Sequence, residues 1–420
     1  MASLNSGAAA QVLKNLGANS DWLEATYQQF HAHPELSFQE HASGDVIAAA
    51  LSTYGFSVQR LGGTGVVGVL VNGDGAVVMS RADMDALPVS EATGLPYAST
   101  VPGVMHACGH DVHMTALLGA AKLMAETQGS WSGSFIVVFQ PAEEVGGGAR
   151  ALVDDGLTHK VPRPDVVLGQ HVMPLPAGML ATAAGPVLSA ADSLRITVHG
   201  KGSHGSMPHM SVDPVVLAAS IVMKLQTIVS RETKPGEFAV VTVGALNAGS
   251  TANIIPDRAT LLVNIRSYND TVRTRVLAAI ERIVEGECAA AGSPQPADIE
   301  LYDQFPLTNN DAAATERISE AFAVHFGSEA VTVATPQTAS EDFSVLPNAF
   351  GAPYSYWFLG GSDPELFVAA QDNDGATPAV PANHSPLFAP VMNPTLSLGV
   401  QAHVVAALSY LDGRMPSRSN

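Results

Sequence analysis

The stretch from Met105 to His113 reads Met-His-Ala-Cys-Gly-His-Asp-Val-His and carries five potential metal or proton ligands, namely His106, Cys108, His110, Asp111 and His113. A packed core does not call for such polarity, because each buried imidazole or carboxylate needs a partner. Gly109 permits the tight backbone that would aim Cys108 and His110 at one point. A thiolate beside an imidazole suits a borderline-soft ion such as zinc. The alternative is a polar loop with incidental histidines.

Acidic residues and a histidine follow three of the predicted strands. Open α/β sheets place their sites just beyond the carboxyl ends of such strands. Of two adjacent glutamates, one can coordinate a metal while its neighbour faces substrate, and the pairing separates their pKa values. For the aspartates, a solvated strand end is the alternative. The residues are Asp83 and Asp85 after strand 76–80, Glu143 and Glu144 after strand 135–139, and His171 after strand 166–170.

Other polar residues have a local explanation. His384 lies in a turn between Pro381 and Pro386, which would hold it rigidly, as a ligand would be held. Glu35 and Glu40 follow a predicted first helix, residues 8 to 32, which stops before His33-Pro34. Acids are common at helix starts, so both glutamates are predicted to be structural rather than catalytic.

The order of elements predicts an α/β protein with an insertion. Between residues 187 and 304 the chain reads β-α-β-β-α-β, the ferredoxin-like split unit, and Asp213-Pro214 is predicted to cap its first helix. Residues 1–186 and 305–420 are predicted to form one domain, a mixed sheet flanked by helices. A further helix is predicted from Met114 to Glu126, and a loop from Gly360 to about residue 380.

Composition limits the class of protein. Of 420 residues, 46% are hydrophobic, which excludes general disorder. The net charge of −19 argues against nucleic-acid and anionic membrane partners. The 2 cysteines are too few for a disulfide framework, and there is neither a signal-like start nor an apolar run long enough to span a membrane. We therefore expect a cytoplasmic protein, with a frayed tail from Arg414 to Asn420.

Together these motifs resemble the dinuclear-zinc aminoacylase and carboxypeptidase family, in its subgroup of hippurate hydrolases and auxin-conjugate amidohydrolases. Within that subgroup the chain is similar to bacterial Nα-acylglutamine aminoacylases, through Trp131-Ser132-Gly133 and the segment Gly146 to Arg150. The motifs run in family order along nearly the whole chain. They are His33-Pro34-Glu35-Leu36, Arg81 to Pro88, His106 to Asp111, Pro141-Ala142-Glu143-Glu144, Gly202-Ser203-His204 with Pro208-His209, Asn253 to Asp257, Ser340 to Phe343, and His384-Ser385-Pro386.

The resemblance implies a zinc-peptidase-like catalytic domain with two divalent ions per subunit, zinc foremost, with manganese or cobalt as alternatives. Many relatives carry His-x-Asp where this chain has Asp83-Met84-Asp85, so Asp83 and Asp85 are expected to orient ligands rather than bind metal. Glu143 is implied to be the general base. The implied metal ligands are Cys108, His110, Glu144, His171 and His384.

Three residues of the inserted domain are implied to contact the substrate, from the same subunit or from the partner in a homodimer. His204 would stabilise the oxyanion when the smaller domain closes, and Gly205 beside it, where alanine is usual, would loosen the loop. Arg266 would bind the substrate carboxylate with Asn253, with a structural ion pair as the alternative for Arg266.

The function implied is hydrolysis of N-acyl amino acids, with N-acyl-glutamine as one candidate, to a carboxylic acid and a free amino acid. One alternative is a dipeptidase or carboxypeptidase acting on small peptides or amino-acid conjugates. The other is a catalytically silent metal- or ligand-binding protein, which would not need Glu143 beside Glu144. Residues 360 to 380 and the loop near Leu188 are expected to line the acyl pocket.

Overall fold

The computed structural model describes residues 6–371 and 380–411. The tail predicted to fray and most of the second half of the predicted acyl-pocket loop lie outside these residues. The chain divides into two compact units. One comprises the described parts of Met1–Val187, Asn309–Thr335 and Asp342–Asn420, and the other comprises Leu188–Thr308 and Pro336–Glu341. The sequence predicts the insertion to end at 304 and assigns it nothing from 336–341.

The strands, in chain order, are β1 (Ser57–Leu61), β2 (Gly65–Asn72), β3 (Val77–Asp83), β4 (Gly133–Gln140), β5 (Val166–Pro176), β6 (Leu180–Thr182), β7 (Gly185–Leu188), β8 (Ala190–His199), β9 (Ser203–His204), β10 (Ala239–Ala248), β11 (Ile254–Ile255), β12 (Arg258–Ser267), β13 (Asp298–Phe305), β14 (Thr308–Asn310), β15 (Val331–Val333) and β16 (Tyr354–Ser362). The helices are α1 (Ser6–Leu13), α2 (Ser20–Ala32), α3 (His41–Thr53), α4 (His110–Glu126), α5 (Gly148–Asp154), α6 (Leu157–Lys160), α7 (Pro214–Thr227), α8 (Asp270–Ala291), α9 (Ala312–Phe326), α10 (Val345–Phe350), α11 (Pro364–Gln371) and α12 (Met392–Leu411).

An eight-stranded mixed sheet forms the first unit, in the order β1-β2-β4-β3-β5-β16-β6-β15. Its four central strands, β4, β3, β5 and β16, are parallel to one another. Every residue of β4 and β16 is buried, as expected for parallel strands covered on both faces. The predicted class, a mixed sheet flanked by helices, is confirmed.

The topology explains where polar side chains gather. The chain passes from β3 through α4 to β4 on one side, and then to β5 on the other side of β3, so the strand order reverses at β3. Crevices at such a switch point, beyond the carboxyl ends of the strands, are where open α/β sheets bind ligands. The register places Asp83 beside Gln140 across β3 and β4, and His171 beside Phe358 across β5 and β16.

Four local predictions differ from the structure. The predicted helix 8–32 is two helices separated by a 3₁₀ turn at Gly17–Asn19, where Gly17 and Asn19 have low helix propensity. Helix α4 begins at His110 rather than Met114, since its first buried positions are polar and hide the apolar periodicity. Strand β5 continues past His171 because β16 pairs with it as far as Pro176. The predicted loop after Gly360 begins with the end of β16 and the helix α11.

The second unit has its own sheet and core. Strands β8, β10, β12 and β13 pair antiparallel in the order β10-β12-β8-β13, with α7 and α8 as the crossovers, which is the ferredoxin-like arrangement. The Asp213 side chain accepts hydrogen bonds from the N–H groups of Val215 and Val216, and Pro214 opens α7, so the predicted cap is confirmed.

One helical stretch, Pro214–Glu232, is long and apolar enough by composition to cross a membrane. Its buried residues Leu217, Ile221 and Leu225 pack in the core of the second unit. One face of this stretch is therefore buried in that core, while Val216 and Met223 on it are exposed.

A buried histidine joins α2 to α4 in the first unit. His31 Nδ1 lies 2.6 Å from a carboxylate oxygen of Asp111, and Nε2 lies 3.2 Å from one of Glu91. Tyr27 and Tyr97 pack against the ring. Burial lowers the pKa of His31, but the bonds to the two acids outweigh it and raise the pKa to about 9. The imidazolium therefore stays protonated in the folded protein near neutral pH.

This pairing predicts a pH-dependent stability. A folded pKa above the unfolded value contributes stability that is full below about pH 6.5 and is lost as pH rises through about 9. We expect the advantage of the parent over His31→Gln in free energy of unfolding to shrink by up to about 3 kcal/mol over this window. Urea unfolding at several pH values measures it. His33→Gln, an exposed neighbour, should leave the parent's profile unchanged, and an equal profile for His31→Gln would contradict the assignment.

Candidate metal centre

Ligand-type atoms of six side chains cluster in the first unit, at the carboxyl edge of its sheet. In each of three groups the atoms lie within 4.8 Å of one another. The groups are Cys108 with His110 and His171, Cys108 with Glu144 and His384, and His110 with Glu143 and Glu144. The structure thus brings together all five side chains that the sequence predicts as metal ligands, with Glu143 beside them.

The turn before α4 aims the thiol and the first imidazole. Gly109 has φ of 82°, and a Cβ on it would lie 2.3 Å from a methyl carbon of Val172, so both conformation and space require glycine. Cys108 therefore ends the loop while His110 opens the helix. The Cys108 Sγ atom lies 3.5 Å from Nε2 of His171. Asn383 also donates to the carbonyl of Cys108, at 3.2 Å, next to His384 in the chain.

Backbone carbonyls orient the two buried imidazoles. His110 Nδ1 lies 2.8 Å from the carbonyl oxygen of Asp85, and His171 Nδ1 lies 2.8 Å from that of Val172. Each Nδ1 donates to its carbonyl in the neutral ring, which leaves the Nε2 lone pair facing the cluster. Metal-binding histidines are commonly oriented in this way.

Two buried atoms in the cluster have no hydrogen-bond partner among the residues that the structure describes. They are Nε2 of His110 and Oε1 of Glu144, and they face each other across 4.0 Å. Buried polar atoms are nearly always paired, because an unpaired one keeps its full desolvation penalty. Sulfur, imidazole nitrogen and carboxylate oxygen together are a donor set that suits zinc. The residues therefore fit a bound divalent cation.

Asp85 holds the turn that carries both glutamates. Its two carboxylate oxygens accept the backbone N–H groups of Glu143 and Glu144, each at 3.0 Å, and it also accepts from the Ser37 hydroxyl at 2.7 Å. Burial raises the pKa of Asp85, but the bonds from His110 and Ser37 outweigh it and the pKa is lowered. A charged Asp85 thus holds the backbone N–H groups of both Glu143 and Glu144 in place.

Asp83 is tied to a histidine and an arginine. One oxygen lies 2.5 Å from His113 Nδ1, and the other accepts from Arg81 at 2.5 Å. Burial raises its pKa, but Arg81 and the neighbouring histidines hold it well below its usual range. Val172 N–H donates to His113 Nε2 at 2.8 Å, so both nitrogens of His113 are engaged and the proton lies on Nδ1.

Arg81 is a central residue for which the sequence predicted no role. It is 1% exposed, donates to the side chain of Gln140 at 2.9 Å, and lies 3.3 Å from Asp342. Asp342 in turn accepts from Gln140 at 2.6 Å. An arginine near the end of a buried strand is the one sequence signal that could have shown it, because a buried cation needs nearby acceptors.

The remaining polar residues of the opening stretch have other partners or none. Asp111 pairs with His31, and His106 is buried, with no hydrogen-bond partner for either ring nitrogen within residues 6–371 and 380–411. Burial lowers the pKa of His106 to about 4. For His110, burial lowers the pKa, but Asp83, Asp85 and Glu144 outweigh it and raise the pKa to about 10. The carboxylates thus favour positive charge at the centre of the cluster.

His204 and Asn253 are neighbours in the second unit. His204 pairs with Ile254 in the β9–β11 ladder, and the Gly205 N–H donates to the Asn253 carbonyl at 2.7 Å. A Cβ on Gly205 would lie 3.0 Å from that oxygen, so the glycine permits a close approach here. The Ser206 N–H donates to His204 Nδ1 at 3.1 Å, which places the proton on Nε2. His204 is exposed and presents an N–H donor.

Arg266 is held by neutral acceptors. Its Nε donates to the Asn264 side chain at 2.9 Å, and its Nη1 donates to the Ser340 hydroxyl at 2.5 Å. Burial lowers its pKa. Within the residues that the structure describes, Arg266 makes no ion pair, so the structural ion pair weighed above is not seen.

Comparison with known proteins identifies the class. The model of "Peptidase family M20/M25/M40" matches residues 79–375. The chain belongs to this family, which confirms the resemblance inferred from its motifs, and it is an enzyme that hydrolyses amide or peptide bonds.

Three relatives illustrate the range of substrates. The hippurate hydrolase of Campylobacter jejuni is 40% identical over 341 residues (79% of this chain and 87% of the relative).

The N-acetyl-L-cysteine deacetylase of Bacillus subtilis is 37% identical over 349 residues, which are 82% of each chain. Thermostable carboxypeptidase 2 of Saccharolobus solfataricus is 34% identical over 396 residues, 93% of this chain and 95% of the relative. Among solved structures, the YXEP protein of Bacillus subtilis, described as a dinuclear metal-binding peptidase of the M20 family, superposes with a TM-score of 0.77 at 29% identity, over 94% of this chain and 99% of the other.

The contacts of Asp85 predict its effect on metal binding. Asp85→Ala removes the acceptor that holds the Glu143–Glu144 turn, and loss of such a supporting residue typically weakens metal affinity about 10–100-fold. Competition with a chromogenic zinc chelator measures this. Asp45→Ala, which removes a carboxylate exposed on the surface, is the control and should match the parent. Unchanged zinc affinity in Asp85→Ala would refute the role.

Proposed function

We propose that this enzyme is a metal-dependent amidohydrolase that converts N-acyl amino acids to a carboxylic acid and a free amino acid. The observation that carries the proposal is the position of Glu143, whose Oε2 lies 3.9 Å from His110 Nε2, directly beside a donor set that fits a cation. A carboxylate beside the cation centre is placed to move protons. The hippurate hydrolase and N-acetyl-L-cysteine deacetylase relatives, both named for N-acyl amino acids, support this substrate class.

The proposed metal ligands are Cys108, His110, Glu144, His171 and His384. Two divalent ions, zinc foremost and manganese or cobalt as alternatives, would supply Lewis acidity and lower the pKa of an attacking water. Glu143 takes a proton from that water and later returns it to the leaving amine. Asp83 and Asp85 hold the imidazoles and the glutamate turn in place.

The second unit is proposed to bind the substrate, from the same subunit or from a partner in a homodimer. His204 donates its Nε2–H to the developing oxyanion, a role supported by the tautomer that Ser206 imposes. Arg266 binds the substrate carboxylate, which is supported by its lack of an acidic partner among the described residues, and Asn253 adds a hydrogen bond. N-acyl-glutamine is one candidate substrate, and the proposal also includes an acyl pocket near Leu188 and a cytoplasmic location.

A carboxypeptidase or dipeptidase is the second candidate. The thermostable carboxypeptidase aligns over 93% of this chain, more than either acyl-amino-acid relative above. Both reactions use the same base and ligands, and they differ in the group on the acyl side of the bond. The catalytically silent binding protein considered from the sequence is set aside, because the chain belongs to a family of hydrolases.

The proposed function predicts chelator-sensitive release of free amine. Zinc-loaded enzyme should release amine from N-acyl amino acids that vary in amino acid (Gln, Gly, Ala, Asp) and acyl group (acetyl, medium-chain, benzoyl, indoleacetyl). Chelator should abolish release and zinc should restore it. Preferential cleavage of dipeptides would favour the carboxypeptidase as the function, and no release by metal-bound protein would contradict the proposed substrate class. Glu143→Gln should keep its metal and lose nearly all turnover, so an active variant would refute its role as base.

A separate prediction concerns the oxyanion. Removal of one oxyanion donor typically costs about 10²–10³ in kcat, so His204→Ala should lose at least this much. Steady-state kinetics on the best substrate of the panel measure it. His199→Ala, in which a histidine paired with Asp298 is lost from the same unit, is the control and should keep the parent's kcat. A His204→Ala enzyme with more than about a tenth of the parent's kcat would not fit the assignment.

A further inference from the structure

Glu40 is a buried carboxylate that belongs to none of the ligand groups described above. One of its oxygens accepts the backbone N–H groups of Phe38, at 3.0 Å, and Ala142, at 2.8 Å. The other accepts the Thr64 hydroxyl at 2.5 Å. Glu40 is the N-cap residue of α3, but its side chain does not cap that helix and accepts these three hydrogen bonds instead. Ala142, by contrast, directly precedes Glu143.

The two backbone donors share an uncommon conformation. Phe38 has φ of 62° and Ala142 has φ of 49°, and in the described part of the chain only one other residue besides glycines, His384, has positive φ. L-residues rarely adopt this conformation, and it persists only where surrounding contacts impose it. Two of these three residues donate to a single oxygen of Glu40.

The opposite face of the same turn is also held. The Ala142 carbonyl accepts the N–H groups of Gly147 and Gly148, at 3.2 and 3.1 Å. A Cβ on Gly148 would lie 1.5 Å from the Pro141 carbonyl oxygen, so the turn is closed tightly on itself. The backbone of Ala142 is thus held on both sides, at its N–H by Glu40 and at its carbonyl by the two glycines. Its conformation sets the direction in which the chain enters Glu143.

We propose that Glu40 is a positioning residue for Glu143 and acts through the backbone of Ala142. The inference rests on the proposed function, in which Glu143 is the base. Glu40 fixes the turn from the side of Ala142, while Asp85 fixes the N–H groups of Glu143 and Glu144. Proton transfer requires the base within hydrogen-bond reach of its proton. A displacement of about 1 Å from the productive geometry can cost about 10²-fold in rate.

Glu35 provides a matched control on the same segment. It also accepts two backbone N–H groups, those of Ala42 and Ser43 at 3.0 and 2.8 Å, and thereby caps α3. Its removal should cost stability like the removal of Glu40, without touching the turn before Glu143. The prediction of Glu35 as a helix-start acid is confirmed by these bonds.

Three variants of Glu40 separate its shape from its charge. Glu40→Gln keeps an oxygen for Phe38 and Ala142, and its amide can donate to the Thr64 hydroxyl. Glu40→Asp keeps the charge but draws the carboxylate back by one methylene. We expect kcat to fall about 10²-fold in Glu40→Ala and about tenfold in Glu40→Asp, and to stay within about threefold in Glu40→Gln and Glu35→Ala, with KM nearly constant throughout. Should Glu40→Ala fail to fold, the order of Gln above Asp still decides. Asp equal to or above Gln would overturn the proposal.

A second readout does not depend on activity. Amide hydrogen exchange of the metal-free protein, followed by mass spectrometry on peptides that span residues 138–149, should be at least about tenfold faster in Glu40→Asp and Glu40→Ala, and near the parent in Glu40→Gln and Glu35→Ala. Unchanged exchange in Glu40→Asp and Glu40→Ala would overturn the hold of Glu40 on the turn. The two proposals can also fail separately. If the parent cleaves no substrate of the panel, the proposed function is refuted. Faster exchange in Glu40→Asp and Glu40→Ala would still show that Glu40 holds the turn.

Discussion

The buried guanidinium of Arg81 is the interaction on which the carboxyl edge of the main sheet depends. A cation taken out of water costs several kcal/mol unless acceptors surround it. Here the acceptors come from three separate places: Asp83 at the end of the same strand, Gln140 at the end of the next strand, and Asp342 far along the chain. These bonds draw strand ends together and leave Asp83 charged, so that it can hold His113 against the imidazoles of the metal centre.

Much of this arrangement could be read from local sequence. The apolar strands, the cap at Asp213 and the turn at Gly109 each follow from a short-range rule, and the structure has them where the sequence predicts them. Polar residues after buried strands, and a thiol beside an imidazole, marked a wider group of candidate ligands, and the resemblance to a known family implied the set of five. The structure brings their donor atoms together. The positions of the strand ends predict this clustering, but they do not give the distances between the atoms.

The parts that sequence could not supply are those decided by partners distant along the chain. Glu35 and Glu40 stand in the same short segment and look alike, yet one caps the following helix and the other holds a turn 102 residues away. His31 looks like a surface histidine at a helix end until Asp111, 80 residues on, is seen to face it. Local periodicity does not encode such contacts, because they form between segments that are distant in sequence and meet only in the folded chain.

The hydrogen bonds from two consecutive backbone N–H groups to Asp85 have an evolutionary consequence. Glu143 and Glu144 share one short turn, so a substitution that shifts either side chain displaces the other as well. The chemistry of this turn is therefore difficult to adjust in small steps, and selection can hardly tune it for one acyl group against another. A change in substrate preference is therefore expected to come from substitutions in other parts of the chain.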